Sequence, residues 1–210
     1  EDEIAAAAAS VGASFTGKLA VTGTSGPGLA LKSETISLAL SAELPLVIVN
    51  VQRGGPSTGL PTKPEQSDLM FALYGRHGES PLPVVAAKSP SHAFYAAYEA
   101  SRIALKYMTP VILLSDNYVA TGSEPWNLPN TEELNELETN IITKLNTEDG
   151  FLPFLRNVDT FARPWALPGT PGLEYRVGGL EKEEGTGNVS YDAANHQYMT
   201  DMRAWKISNI

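Results

Sequence analysis

The run Leu46-Val-Ile-Val-Asn-Val51 restricts this chain more than any other segment. It is continuous and β-branched, not alternating, which is the pattern of a strand covered on both faces. A strand of that kind needs neighbours in a sheet and helices above and below it. Leu19-Ala-Val-Thr-Gly-Thr24, Pro83-Val-Val-Ala-Ala87 and Val111-Ile-Leu-Leu-Ser115 supply three further strand patterns. Helical patterns lie between them. Glu1 to Ser14 is Ala-rich, Leu29 to Ala42 can form a second helix, and a short one fits Gln66 to Leu73. Ser91 to Tyr107 carries Ala93, Ala97, Ala100, Ile103, Ala104 and Tyr107 on one stripe, with Glu99, Arg102 and Lys106 off it. Strands separated by helices predict an α/β fold: a parallel sheet flanked by helices.

Beyond Thr121 the alternation dissolves. Asn130 to Asn146 is polar and open to a helical reading, Pro153 to Tyr175 has no periodicity, and Arg176 to Asn195 is charged and Gly-rich. Charge divides at the same place. Residues 1–120 hold 10 acids and 8 bases, whereas residues 121–210 hold 14 acids and 7 bases. The expected organisation is a domain over 1–128 and an irregular acidic extension over 129–210, packed on that domain or on a partner. The chain does not open on Met and begins inside a helical pattern, so a longer protein is expected.

The 210 residues are 42% hydrophobic, which supports a packed core, and carry a formal net charge of −9. That charge repels phosphate backbones, so no nucleic-acid partner is expected. No window approaches the roughly 18 apolar residues of a membrane helix, and no basic segment precedes an apolar core as in a signal peptide. A cytoplasmic protein is expected. Cys is absent, which excludes disulfides, thiolate zinc sites and iron–sulfur clusters ligated by this chain. His77, His92 and His196 lie far apart, so no resident metal site is expected.

Ligands of an open parallel sheet bind outside the carboxyl ends of its strands. Those ends lead into Thr24-Ser-Gly-Pro-Gly28, Gln52-Arg-Gly-Gly-Pro-Ser-Thr-Gly59, Lys88-Ser-Pro-Ser-His92 and Ser115-Asp-Asn117. The first loop reads either as a turn or as a phosphate cradle, without the Walker or G-x-G-x-x-G spacing. Arg53, directly after the buried strand, reads either as an exposed loop residue or as a carboxylate clamp, a task that suits its planar fork. Thr58 and Thr62 in the same loop offer hydroxyl donors. Glu3 is either an ordinary acid at a helix N-terminus or part of a site. Asp116 ends a strand where functional acids often stand, but Ser115-Asp-Asn117 is also ordinary turn chemistry.

Glu1-Asp-Glu-Ile, Thr24-Ser-Gly-Pro-Gly28, and above all Gln52-Arg-Gly-Gly-Pro-Ser-Thr-Gly-Leu-Pro-Thr62 with Gln66-Ser-Asp68, resemble the alpha subunit of 2-oxoacid:ferredoxin oxidoreductases, most closely the 2-oxoglutarate type. Asp192 to Met202 is similar to an Asn-His segment late in the same subunit. The resemblance implies the pyrimidine-binding domain of a thiamine diphosphate enzyme. A beta subunit would carry the diphosphate site with Mg²⁺ and a [4Fe–4S] cluster. A gamma-type domain or subunit, ferredoxin, CoA and a 2-oxoacid complete the implied partners. Glu3 matches the Glu that hydrogen-bonds the pyrimidine N1′ and promotes the imino tautomer. Ser25, Gly26, Pro27 and Gly28 would lie against the cofactor. Arg53 matches the Arg that holds the substrate carboxylate, with Thr58 and Thr62 beside it, and Lys63 and Arg76 are candidates for a distal carboxylate. The family's Tyr-Pro-Ile-Thr-Pro segment and its C-terminal domain are not in these 210 residues. Two other readings remain: a non-catalytic assembly subunit of the same fold, and a transketolase-like thiamine-dependent transferase component.

Overall fold

A computed structural model of the chain describes residues 2–210 and bears out the α/β expectation. Four parallel strands, β1 (Ala20–Thr24), β2 (Leu46–Gln52), β3 (Val84–Ala86) and β4 (Pro110–Asp116), form one sheet in the order β1-β2-β4-β3. Helices α1 (Glu3–Phe15), α2 (Gly26–Ala42), α3 (Leu69–Tyr74), α4 (Pro90–Tyr107) and α5 (Asn117–Thr121) connect or follow them. Glu1, where the expected first helix began, lies outside the described residues. Asp2 caps α1, its carboxylate accepting from the Ile4 N–H at 2.9 Å.

The run that demanded two-sided burial receives it. Leu46 and Ile48 of β2 join Leu29, Ile36, Ala39 and Leu40 of α2 in one core layer. Val47 turns the other way, into a layer with Ala96, Ala100, Ile103 and Ala104 of α4. The period of two along the strand therefore feeds two separate cores. Each buried aliphatic side chain contributes about 1.5–3 kcal/mol.

One local expectation is corrected. Ser25-Gly-Pro-Gly28 is not a turn before the second helix. Ser25 is the N-cap and Gly26, Pro27 and Gly28 are the first turn of α2. Pro fits there because its missing N–H would have no helical partner. Gly28 is required by close approach: a Cβ would lie 2.0 Å from Thr24 Oγ1 and 2.7 Å from Glu3 Cγ.

After Gly122 the chain is irregular through Tyr191, apart from a 3₁₀ turn at Thr131–Glu133, isolated bridges, and the two-residue pair β5 (Ile141–Ile142) and β6 (Trp165–Ala166). No longer helix forms over Asn130 to Asn146. A final helix, α6 (Ala193–Ser208), is an element that the sequence pattern did not disclose. Contacts at the C-terminal ends of α4 and α2 help tie this region to the sheet domain. Trp165 and Ala162 pack on Leu105 and Met108 at the C-terminal end of α4, where the Asn140 amide also caps the Leu105 and Lys106 carbonyls. At the C-terminal end of α2, Arg163 Nε donates to the Ala42 carbonyl at 3.2 Å, and Glu43 takes a bidentate pair from Arg156 and an ion pair from Lys206. The helices run against the strands, so these contacts lie at the amino ends of the strands; at the opposite rim Glu124 accepts from the Ser89 hydroxyl at 2.7 Å and from the Ser91 N–H at 2.5 Å, at the start of α4.

Candidate functional site

The carboxyl ends of β1, β2 and β4 gather the polar residues of interest. At β1, the Glu3 side chain leans on Gly28, and Glu3 Oε1 lies 3.0 Å from where a Gly28 Cβ would stand. The neighbouring strand is held in register, Thr24 opposite Asn50, and Arg53 follows it by three residues. Glu3, the first residue of α1, thus stands against the first turn of α2 beside the end of β1, and Arg53 follows the end of the adjacent strand β2. Arg53 is half-buried, and its Nε is buried without a hydrogen-bond partner. A guanidinium N–H in that state is costly unless an acceptor arrives.

A network of side-chain amides and carboxylates fixes the loop that carries Arg53. Gln52 donates to the Ser115 carbonyl at 3.1 Å and accepts from the Asp68 N–H at 3.0 Å. The Asn50 amide donates to Asp68 at 2.9 Å, and the Gln66 amide to Asp116 at 2.6 Å. Burial pushes the Asp116 carboxyl up, but the hydrogen bonds from Gln66 and the Val119 and Tyr118 N–H groups outweigh it and hold it below the usual range. The loop itself closes through the Gly54 N–H to the Lys63 carbonyl at 2.9 Å, the Gly55 N–H to Glu65 at 2.8 Å, and the Asn117 amide to the Thr62 carbonyl at 2.9 Å.

Gly59 is the steric keystone of that loop. Its φ is +58°, and a Cβ would fall 1.3 Å from the Gly54 carbonyl oxygen. Gly59→Ala is expected to destabilise the closed loop by at least about 1 kcal/mol. Limited proteolysis should then cut between residues 54 and 63 much faster than in the parent chain; equal cutting rates would refute this.

The other expected site residues divide. Ser25 caps α2 without a side-chain hydrogen bond, and the Asp68 carboxylate oxygens lie 2.9 Å from where a Gly26 Cβ would stand. The chain's own carboxylate therefore occupies the approach to that helix N-terminus, which argues against a phosphate cradle there. Thr58 is exposed, and the exposed Thr62 turns its hydroxyl onto the Pro61 carbonyl at 2.7 Å. Lys63 is exposed beside them. Arg76 is not available for a substrate carboxylate, because its guanidinium is committed to the Ala72, Leu73 and Ser80 carbonyls. The sequence reading did not find the Asn50, Gln52 and Asn117 contacts, nor the role of Lys32, whose ammonium donates to the Glu3 carbonyl and to Thr22.

His92 lies in the first turn of α4 just after β3, its Nδ1 accepting from the Lys88 N–H at 3.4 Å, while the other two histidines stand elsewhere. His196 pairs with Glu181 at 2.6 Å, and both line a groove of about 360 Å³ with His77 and Arg203 beside the C-terminal half of α2. Among the described residues, no group of three or more His, Asp or Glu is arranged to hold a metal ion. No described helix is long and apolar enough to cross a membrane.

Comparison with known proteins gives this rim a context. Residues 1–192 match the family described as pyruvate flavodoxin/ferredoxin oxidoreductase, thiamine diphosphate-binding. The 2-oxoglutarate oxidoreductase subunit KorA of Mycobacterium tuberculosis is 52% identical over all 210 residues, which cover 32% of that protein. Subunit alpha of 2-oxoacid:ferredoxin oxidoreductase 1 from Aeropyrum pernix is 36% identical over the same 210 residues, again 32% of its length. A solved 2-oxoglutarate:ferredoxin oxidoreductase from Magnetococcus marinus, with 2-oxoglutarate, coenzyme A and succinyl-CoA bound, superposes with a TM-score of 0.87 at 39% identity. That match covers 99% of this chain and 36% of the other. The chain thus spans about a third of the length of these relatives. It belongs to the thiamine diphosphate-binding family of pyruvate flavodoxin/ferredoxin oxidoreductases.

Proposed function

We propose that this chain is the pyrimidine-binding part of a 2-oxoacid:ferredoxin oxidoreductase alpha subunit, acting in the cytoplasm in oxidative decarboxylation of a 2-oxoacid, 2-oxoglutarate in the first instance, to an acyl-CoA. The observation that carries this reading is the placement of Glu3 against Gly28 beside the end of β1 and of Arg53 just after the end of the neighbouring strand β2, its Nε buried without a hydrogen-bond partner among the described residues.

The residues present fit the pyrimidine end of thiamine diphosphate. Gly28, with no side chain, lets Thr24 and Glu3 pack directly against α2, and Glu3 would offer a carboxylate to a ring nitrogen from there. Ser25, Gly26 and Pro27 form the backbone wall next to it. The N-terminus of α2 does not suit the diphosphate, since Asp68 occupies it. A beta subunit would hold that end with Mg²⁺ and carry the [4Fe–4S] cluster, a gamma-type domain or subunit would complete the assembly, and ferredoxin would receive the electrons. When bound, the cofactor supplies the nucleophilic carbon and the electron sink for decarboxylation.

Each residue of this chain then has a defined task. Glu3 would share a proton with the pyrimidine N1′, its carboxylate accepting the hydrogen bond from the protonated ring nitrogen. Arg53 presents Nη and Nε donors to the 2-oxoacid carboxylate, and the Gly54–Lys63 loop closure keeps it over the rim. Thr58 and Thr62 stand beside it on the exposed side of the loop.

Two measurements test the reading. Thiamine diphosphate with Mg²⁺ should raise the melting temperature of the assembled alpha–beta complex; no shift at saturating cofactor would favour a non-catalytic assembly subunit. Arg53→Ala should raise KM for the 2-oxoacid about 10–100-fold, the loss of a charge-assisted hydrogen bond, while KM for CoA changes little. Equal rises in both would remove Arg53 from the carboxylate site.

A further inference from the structure

Lys32 is a charged side chain in a place that does not need one. It lies on α2, is 1% exposed, and stands in the core layer between α1 and the sheet. Its ammonium donates to two neutral oxygens, the Glu3 backbone carbonyl at 3.1 Å and Thr22 Oγ1 at 3.1 Å. Burial lowers its proton affinity, and only the nearby charges of Glu3 and Asp2 oppose that effect. A methionine would fill the same volume without the desolvation penalty. The charge therefore answers to something other than packing.

The neighbour that it serves is the first turn of α1. Asp2, Ile4, Ala5 and Ala6 are all exposed, and Ala7 and Ser14 are the buried residues of that helix. Asp2 caps the turn, but its bonds run to Ile4 and Ala5 within the same helix and do not tie the turn to the body. Two contacts reach across: the Glu3 side chain on Gly28, and Lys32 on the Glu3 carbonyl. On the sheet side Lys32 is anchored by Thr22 of β1, two residues before Thr24. The ammonium thus bridges the strand that walls the site and the backbone of the residue whose carboxylate works in it.

We propose that Lys32 is a positioning residue: by bridging Thr22 and the Glu3 carbonyl, it sets where the Glu3 carboxylate stands relative to Gly28. This rests on the reading of Glu3 given above. The side chain touches neither cofactor nor substrate and acts through Glu3 alone.

The test uses the assembled complex with thiamine diphosphate and compares Lys32→Met, Thr22→Val and Glu3→Gln. Lys32→Met should slow exchange of the bound cofactor's C2 proton about tenfold while changing cofactor affinity less than threefold. In the same complex without cofactor, deuterium uptake by the amides of residues 6–8 should speed up about tenfold, with the rest of α1 unchanged. Thr22→Val removes the other anchor and should move both readouts in the same direction by a smaller factor. It also stands in for Lys32→Met should that variant not fold. A merely structural role would lower the melting temperature without separating exchange rate from cofactor affinity. Parent-like C2 exchange and amide uptake in the folded Lys32→Met variant, or in Thr22→Val where Lys32→Met does not fold, overturns the proposal. If Glu3→Gln also exchanges at the parent rate, the reading of Glu3 has failed instead; if Glu3→Gln alone is slow, only the role of Lys32 is lost.

Discussion

Glu3→Gln is expected to slow C2 proton exchange of bound thiamine diphosphate by about 10²–10⁴-fold, the usual contribution of a positioned acid–base group. The substitution is chosen for what it leaves intact. Gln has nearly the same shape, so the contact with Gly28 survives. The helix cap belongs to Asp2, and the bond from Lys32 goes to the Glu3 backbone, so the start of α1 stays anchored. Only the anionic acceptor disappears. Cofactor affinity should fall far less than the exchange rate, because ring contacts and the distant diphosphate site persist. Exchange within about twofold of the parent complex would remove Glu3 from the chemistry. It would leave the acid as an ordinary feature of a helix start, where carboxylates are favoured in any case.

What could be read from the sequence follows from the range of the interactions involved. The sheet was legible because Leu46 to Val51 bury on both faces, and α4 because its alanines fall on one stripe. The place of Arg53 on the rim was legible because it directly follows the buried strand, whereas its task there came only from the resemblance of the loop that carries it. The first turn of α2 was misread because Gly26-Pro27-Gly28 is turn chemistry in most settings. Here, close approach of Glu3 and Thr24 makes the glycine obligatory within a helix. The bracing of the Arg53 loop left no signal. Gln52 reaches Ser115, 63 positions away, and Gln66 reaches Asp116, 50 positions away. No periodicity records such pairs. Helix α6 was hidden for a related reason: its buried stripe of Met199, Met202 and Lys206 includes a lysine, which reads as a solvent-facing residue until its partner is known.

That lysine belongs to the group whose disruption should cost the most stability. Glu43, at the left-handed C-cap of α2, is fully buried between Arg156 and Lys206, with Arg163 and Lys182 close by around the Phe154 ring. Burial alone would push the Glu43 carboxyl up, but the Arg156 guanidinium and the Lys206 ammonium outweigh it and hold it well below the ordinary value of 4.5. Desolvation pushes Lys206 down to about 8, with Glu43 opposing and Arg156 assisting. Glu43→Gln would leave several buried cations facing one another without their anion. The expected loss is about 3–5 kcal/mol, which for a chain of this size lowers the melting temperature by roughly 6–20 °C. The pH dependence gives a second check. A carboxyl held below its unfolded value binds fewer protons in the folded state, so its contribution is complete above about pH 4.5 and is lost as pH falls through the folded value. Glu43→Gln should therefore flatten the acid limb of the stability curve as well as lower the plateau. Lys206→Met should be milder, because Glu43 keeps the bidentate Arg156 pair and a repelling cation is removed. Equal losses for the two variants, or a loss below about 1 kcal/mol for Glu43→Gln, would show that the hydrophobic contacts of Trp165 and Met108 hold the two regions together without the ions.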